Sequence, residues 1–75
     1  MDFKEIKIKE DFIKLDSAMK LSGIVATGGH AKIVINDGEV KVNDEVCTMR
    51  GKKLRAGDKI VYEGRGFVIV WKYWA

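Results

Sequence analysis

The sequence predicts a small α+β domain, and three observations predict it. Apolar residues fall at helical spacing in two early segments. After Gly38 the period changes from helical to two. The chain has 75 residues, 47% of them hydrophobic, which leaves room for one modest core. A chain of that length buries only about 60% or a little more of the surface its unfolded form exposes. A second domain with its own active-site cleft does not fit, nor does a large nucleotide-binding fold.

The elements follow in order. Ile6 and Ile8 alternate with Lys7 and Lys9, the pattern of a short half-buried strand. Asp11 opens a turn, after which Leu15, Ala18, Met19 and Ser22 recur at helical spacing. This first helix ends at Gly23, a residue that reaches positive φ without steric penalty. Ile24 and Val25 are expected to pack beneath the turn. Thr27 is read as the N-cap of a second helix running from Gly28 to Asn36, with Ala31, Val34 and Ile35 as its apolar face. Two glycines at its start disfavour the helix by about 1 kcal/mol each at interior positions, less in the first turn. A sequence that keeps them has a use for close backbone approach.

Asp37-Gly38 stops the second helix. Val40 and Val42 then alternate with Glu39, Lys41 and Asn43, and Asn43-Asp44 is a turn signal. Val46 to Met49 reads as a short second arm, and Arg50 to Asp58 as a basic loop closed by Gly57-Asp58. Lys59 to Tyr62 is a strand, Gly64-Arg65-Gly66 a hairpin loop, and Phe67 to Trp74 the last strand. The strands after the second helix are expected to pair antiparallel.

The net charge is +3, from 14 Lys and Arg against 11 Asp and Glu. Residues 1–22 carry five charges of each sign, so the whole excess lies in residues 23–75. Four of those cations fall within Arg50-Gly51-Lys52-Lys53-Leu54-Arg55, and no acid lies between Glu45 and Asp58. Such a cluster displaces counterions from nucleic-acid phosphates and gives binding that weakens with salt. The plain alternative is a solvated loop. Lys41, at the strand entry, is placed to join the same face.

One cysteine, Cys47, forms neither an internal disulfide nor a multi-cysteine zinc site, which points to a reducing, cytoplasmic setting. The charged N-terminal residues lack the apolar run of a signal peptide, and no stretch approaches the roughly 18 apolar residues of a membrane helix. Catalytic signals are missing as well. His30 has no recognised partner spacing around it and reads as a surface histidine at a helix start. Asp16, Asp37, Asp44 and Asp58 sit where side chains satisfy backbone groups. Without a Walker loop, dinucleotide fingerprint or metal-ligand cluster, no enzyme, cofactor or metal is expected.

Two features remain. In Thr27-Gly28-Gly29-His30-Ala31-Lys32, a helix N-terminus offers free N–H groups, glycines that admit a phosphate, and a hydroxyl and an ammonium beside them; a tight turn between packed helices explains the same residues structurally. Near the C-terminus, Phe67, Ile69, Trp71 and Tyr73 share one strand face, and Val68, Val70 and Trp74 share the other with Lys72. A strand apolar on both faces is core or a packing surface. The functional alternatives are base stacking or a protein-protein interface, the latter through sheet-edge pairing.

In order along the chain, Lys14-Leu15-Asp16, Gly23-Ile24-Val25, Thr27, Ala31, Ile35, Gly38, Val40-Lys41-Val42-Asn43 and Gly57-Asp58-Lys59-Ile60 resemble the S4 RNA-binding domain family. The spacing fits without a gap from Gly23 to Asn43. The Thr27-Gly28-Gly29 variant and the Arg50 to Arg55 stretch look like the small stand-alone bacterial YaaA/YbcJ-like group, which is associated with ribosomes. The resemblance implies the αL motif, two short helices in a helix-turn-helix followed by a β-hairpin, and binding of structured RNA. Carried onto matching positions, it nominates Lys14, Thr27, Lys32, Lys41 and Asn43 as RNA contacts.

Three departures accompany the likeness. Gly28 stands where many members have Arg, so backbone N–H groups of Gly28 and Gly29, or the basic loop, take over a phosphate contact. Asp44 replaces the usual Gly after Asn43, and the proline common before the Gly-Asp turn is absent; both changes concern the turn more than binding. The expectation is a monomeric, cytoplasmic, non-membrane protein that binds structured RNA, ribosomal RNA above all. Arg50, Lys52, Lys53 and Arg55 are expected on phosphates, with Lys32 and the Thr27 to Gly29 amides as a second anchor.

Overall fold

The computed structural model describes residues 3–73. In chain order the elements are β1 (Phe3–Ile8), β2 (Ile13–Lys14), α1 (Leu15–Ser22), α2 (Gly28–Asn36), β3 (Val40–Val42), β4 (Glu45–Val46), β5 (Lys53–Leu54), β6 (Lys59–Tyr62) and β7 (Arg65–Trp71). The helices form where the pattern places them. In α1, Leu15, Ala18, Met19 and Ser22 are buried, and Gly23 closes the helix at φ 81° with its N–H on the Lys20 carbonyl. In α2, Thr27 accepts from the His30 N–H at 3.1 Å, and Ala31, Val34 and Ile35 are buried.

Five strands make a mixed sheet in the order β1-β7-β6-β3-β4, and β2 pairs with β5 in a separate two-stranded ladder. Alternation sorts one face of the large sheet under the helices. Ile6 and Ile8 of β1, Val40 and Val42 of β3, Ile60 and Tyr62 of β6, and Phe67 and Ile69 of β7 join the helical apolar residues in one core. Ile24 and Val25 are buried beneath the inter-helix turn as expected. The other face stays free of helices. Its positions, by register, include Glu5 opposite Val68, Lys7 opposite Val70, Lys59 opposite Val68 and Lys41 opposite Val61.

The sheet departs from the expected pattern in four places. β1 pairs with β7 in parallel, so the first and last described strands lie side by side. This also makes β7 an interior strand over Gly66–Val68, where β1 and β6 flank it on both sides. The last hairpin turns at Glu63-Gly64, with φ 51° and 73°, and Arg65 and Gly66 already belong to β7. Consecutive positive φ values match the right-handed strand twist, which a turn centred on Arg65 does not provide. The expected arm from Val46 to Met49 pairs only at Glu45–Val46 before the chain leaves the sheet. Trp71 is half-buried against the core and meets Tyr73 edge-on at 5.8 Å, whereas Tyr73 itself lies past the strand and is exposed. Trp74 falls outside the described residues.

Candidate nucleic-acid interface

The basic loop is fastened to the start of α1. Leu15 N–H donates to the Lys52 carbonyl at 2.9 Å, and Asp16 N–H donates to the Arg50 carbonyl at 3.1 Å. Two of the unpaired donors that every helix exposes at its N-terminus therefore hold the loop instead of remaining free. The ladder β2–β5 continues the attachment: Ile13 lies opposite Leu54, which is fully buried, and Lys14 lies opposite Lys53. Burial of Leu54 anchors the strand, and alternation turns Lys53 outward. Like charges directly opposite each other across a ladder destabilise it. An anion placed between Lys14 and Lys53 would relieve that repulsion.

Phe12 lies under the cations. The Lys53 Nζ sits 4.8 Å and the Arg55 guanidinium carbon 5.9 Å from its ring centroid, within the roughly 6 Å at which a ring face attracts a cation. Arg55 also donates from its guanidinium to the Asp11 carbonyl at 3.3 Å. Lys14, Arg50, Lys52, Lys53 and Arg55 are all exposed. The structure thus gathers five cations around the first turn of α1. Four come from one loop; the fifth, Lys14, comes from the other side of the chain through β2.

The other candidate anchor is the first turn of α2. Thr27, Gly28, Gly29 and Lys32 are exposed. The Thr27 hydroxyl is occupied by the His30 N–H, and the Thr27 carbonyl by Ala31 N–H at 3.1 Å. A side chain at Gly28 meets nothing within 4 Å, and one at Gly29 meets only the Thr27 hydroxyl at 3.8 Å, an ordinary contact. The chain's own packing does not require these glycines. The exposed His30 ring lies edge-on to Tyr62 at 6.4 Å. Burial, helped by the Glu63 and Glu39 carboxylates, raises the Tyr62 hydroxyl above its ordinary range, while Arg65 pulls it the other way.

The two anchors sit at different ends of the fold. The turn Arg55–Asp58 leads directly into Lys59, the first residue of β6, whereas His30 meets Tyr62, the last. A four-residue strand spans about 10 Å, so the basic loop and the α2 turn are two spaced patches rather than one. Lys41 belongs to neither. It alternates with buried Val40 and Val42 and stands on the helix-free face opposite Val46 and Val61, away from the α1 cluster it was expected to join. Asn43, at φ 50°, serves the hairpin: its Nδ2 donates to Asp58 Oδ1 at 3.0 Å and its Oδ1 accepts from Lys59 N–H at 3.0 Å. Asp58 in turn accepts from Arg55 N–H at 2.8 Å, so Asn43 shapes the end of the basic loop through its side-chain amide.

Phe12 and the β2–β5 ladder are the parts of this site that the residue pattern does not disclose. Phe12 stands alone between Asp11 and Ile13, and ladders of two residues are too short to alternate. Among the described residues, no group of three or more His, Cys, Asp or Glu is placed to hold a metal ion, and no helix is long and apolar enough to cross a membrane.

Residues 6–70 match the family model described as the S4 domain. The chain belongs to the S4 domain family. Over 61 residues it is 41% identical to the probable ribosome maturation protein RlbA of Bacillus subtilis, covering 81% of this chain and 86% of that protein. Over 62 residues it is 34% identical to the putative RNA-binding protein YbcJ of Escherichia coli, covering 83% of this chain and 89% of that one. The solution structure of YbcJ, described as revealing an αL motif involved in RNA binding, superposes with a TM-score of 0.72 at 30% identity, covering 93% of this chain and 90% of that chain. The α+β architecture expected from the residues and the αL arrangement implied by the resemblance are both found in this S4 domain.

Proposed function

We propose that this S4 domain binds structured RNA, specifically ribosomal RNA during ribosome association or assembly, as a cytoplasmic monomer and without catalysing a reaction. The convergence of Lys14, Arg50, Lys52, Lys53 and Arg55 at the start of α1 carries the proposal. The names borne by the RlbA and YbcJ relatives support it. The cations contact phosphates, which position the protein without reading bases. Gly28, Gly29, Thr27 and Lys32 supply the second contact, about one short strand away. Double-stranded segments are then recognised through shape, phosphates and 2′-hydroxyls.

The test is the salt dependence of binding. Removing one cation that neutralises a phosphate flattens the slope of log K against log salt by about one unit or slightly less. The double variant Lys52→Ala, Lys53→Ala should bind an RNA hairpin more weakly, with the slope flatter by about one to two units. An unchanged slope removes the basic loop from the interface. A protein-protein role for the C-terminal aromatic strand is separated by NMR titration with the same hairpin. Shifts at residues 27–32 and 50–55 support RNA binding; a response confined to residues 67–73 counts against it.

A further inference from the structure

A groove of about 490 Å³ lies between the β3–β4 hairpin and the basic loop, lined among others by Val46, Cys47, Met49, Glu45, Thr48 and Lys52. Two of its lining residues are large and apolar yet open to solvent: Val46 is 58% and Met49 67% exposed. The turn that bears Met49 is continuous with the cation cluster. Lys52 N–H donates to the Met49 carbonyl at 3.0 Å, while the Lys52 carbonyl accepts from Leu15 N–H. The groove and the phosphate-binding face therefore share one hydrogen-bonded turn.

We propose that this groove holds the base of an unpaired nucleotide, flanked in the RNA by the paired segment that lies on the cations. The inference rests on the RNA-binding reading above. Val46 and Met49 offer an apolar surface of the kind a base covers when it leaves its stack. Lys52 bridges the groove and the cluster, so it serves the phosphate of the extruded nucleotide. The Glu45 carboxylate and Thr48 hydroxyl supply acceptors in the same groove, which suits a base edge bearing an amino group. A perfect duplex keeps its bases stacked and presents none of these edges, whereas bulges and loops display unstacked bases. Of the charged groups that line the groove, Lys52 is the cation and Glu45 and Asp58 are the acids, so the groove takes the neutral base while the phosphate stays with Lys52 and the cation cluster. A hydrogen-bonding base fits that lining better than a purely apolar protein segment. The ligand is therefore helical RNA interrupted by a bulge.

Two hairpins test this, identical except for one bulged guanosine. The wild-type chain should bind the bulged hairpin about five- to tenfold more tightly, the gain expected for covering a partly exposed Val and Met. The variant Val46→Ser, Met49→Ser, altered only at exposed positions, should bind both hairpins as the wild type binds the paired one. Cys47, the single cysteine, gives an independent readout. The bulged hairpin should slow its alkylation by iodoacetamide, and the paired hairpin should not. Equal affinity for the two hairpins together with equal protection of Cys47 overturns the groove and leaves RNA binding standing. Failure to bind either hairpin overturns RNA binding and the groove with it.

Discussion

Replacing Gly28 and Gly29 by alanine should make the protein more stable and a worse RNA binder. They are the first two residues of α2, behind the Thr27 cap at φ −138°, and neither has a positive φ. A Cβ at Gly28 meets nothing within 4 Å, and one at Gly29 meets the Thr27 hydroxyl at 3.8 Å. The folded chain accepts both methyl groups, while the unfolded chain loses backbone freedom. Compatible Gly→Ala changes stabilise by about 0.4–1 kcal/mol each. At the low end of that range the pair gives about 1 kcal/mol, which raises Tm by about 4–8 °C for a chain of this size. Binding moves the other way. If a phosphate oxygen reaches the amides of this turn, the added methyl groups hold it off. Hydrogen bonds to a charged group are worth about 1.5–3 kcal/mol, so losing one weakens binding about tenfold or more. Thermal unfolding by circular dichroism and fluorescence anisotropy with an RNA hairpin measure the two effects. A double variant that melts higher and binds RNA as tightly as the wild type removes the glycine amides from the interface. One that melts lower refutes the claim that the fold has room for the side chains.

Two further outcomes follow from the structure. Asp44 holds φ 70° in the two-residue turn between β3 and β4, where Gly after Asn fits best. Relief of about 1–2 kcal/mol of left-handed strain outweighs the freedom glycine adds to the unfolded chain, so Asp44→Gly should stabilise by about 0.5–1 kcal/mol in urea denaturation and leave RNA affinity unchanged. Tyr62 has its hydroxyl raised above 10.0 by burial and the Glu63 and Glu39 carboxylates; the unfolded phenol ionises first, so its contribution is complete below about pH 10 and is lost as pH rises through the folded value. Urea midpoints of the wild type should therefore fall more than those of Tyr62→Phe between about pH 9 and 11, and parallel curves would contradict that assignment.

Both helices could be read from the residues because their signals are local. α2 has its cap, its apolar stripe and its stop at Asp37-Gly38 within twelve residues. The two-residue ladder β2–β5 joins segments about forty residues apart, and it exists because Leu54 is buried and α1 lends its first amides to the loop. No local pattern announces either cause. Strand direction is similarly silent: the alternation of Ile6 and Ile8 marks a strand but not that it runs parallel to β7. Lys41 shows the same limit at the site. Its alternation with Val40 and Val42 is visible in the sequence, yet which face the helices cover is decided by packing. The cations of the basic loop are plain in composition; their meeting with Lys14 over α1 is not.

On the proposed binding mode, the two helix starts would divide the work in a way that can be measured. At α1, the Leu15 and Asp16 amides are engaged by the Lys52 and Arg50 carbonyls, so a phosphate there would meet lysine and arginine side chains rather than free amides. At α2, Thr27 satisfies the His30 and Ala31 amides, while the turn around Gly28 and Gly29 stays open to a ligand. Side-chain cations release counterions when they neutralise phosphates, and their loss changes the dependence on salt. Neutral amides add hydrogen bonds without changing the charge brought to the RNA. Loop variants should therefore flatten the salt slope, whereas the glycine variants should lower affinity by a similar factor at every salt concentration. The arginine that many S4 domains carry at the Gly28 position moves that contact from the second class to the first. Gly28→Arg should accordingly steepen the slope by about one unit if the α2 turn faces a phosphate, and a variant whose slope matches the wild type would place that turn away from the RNA.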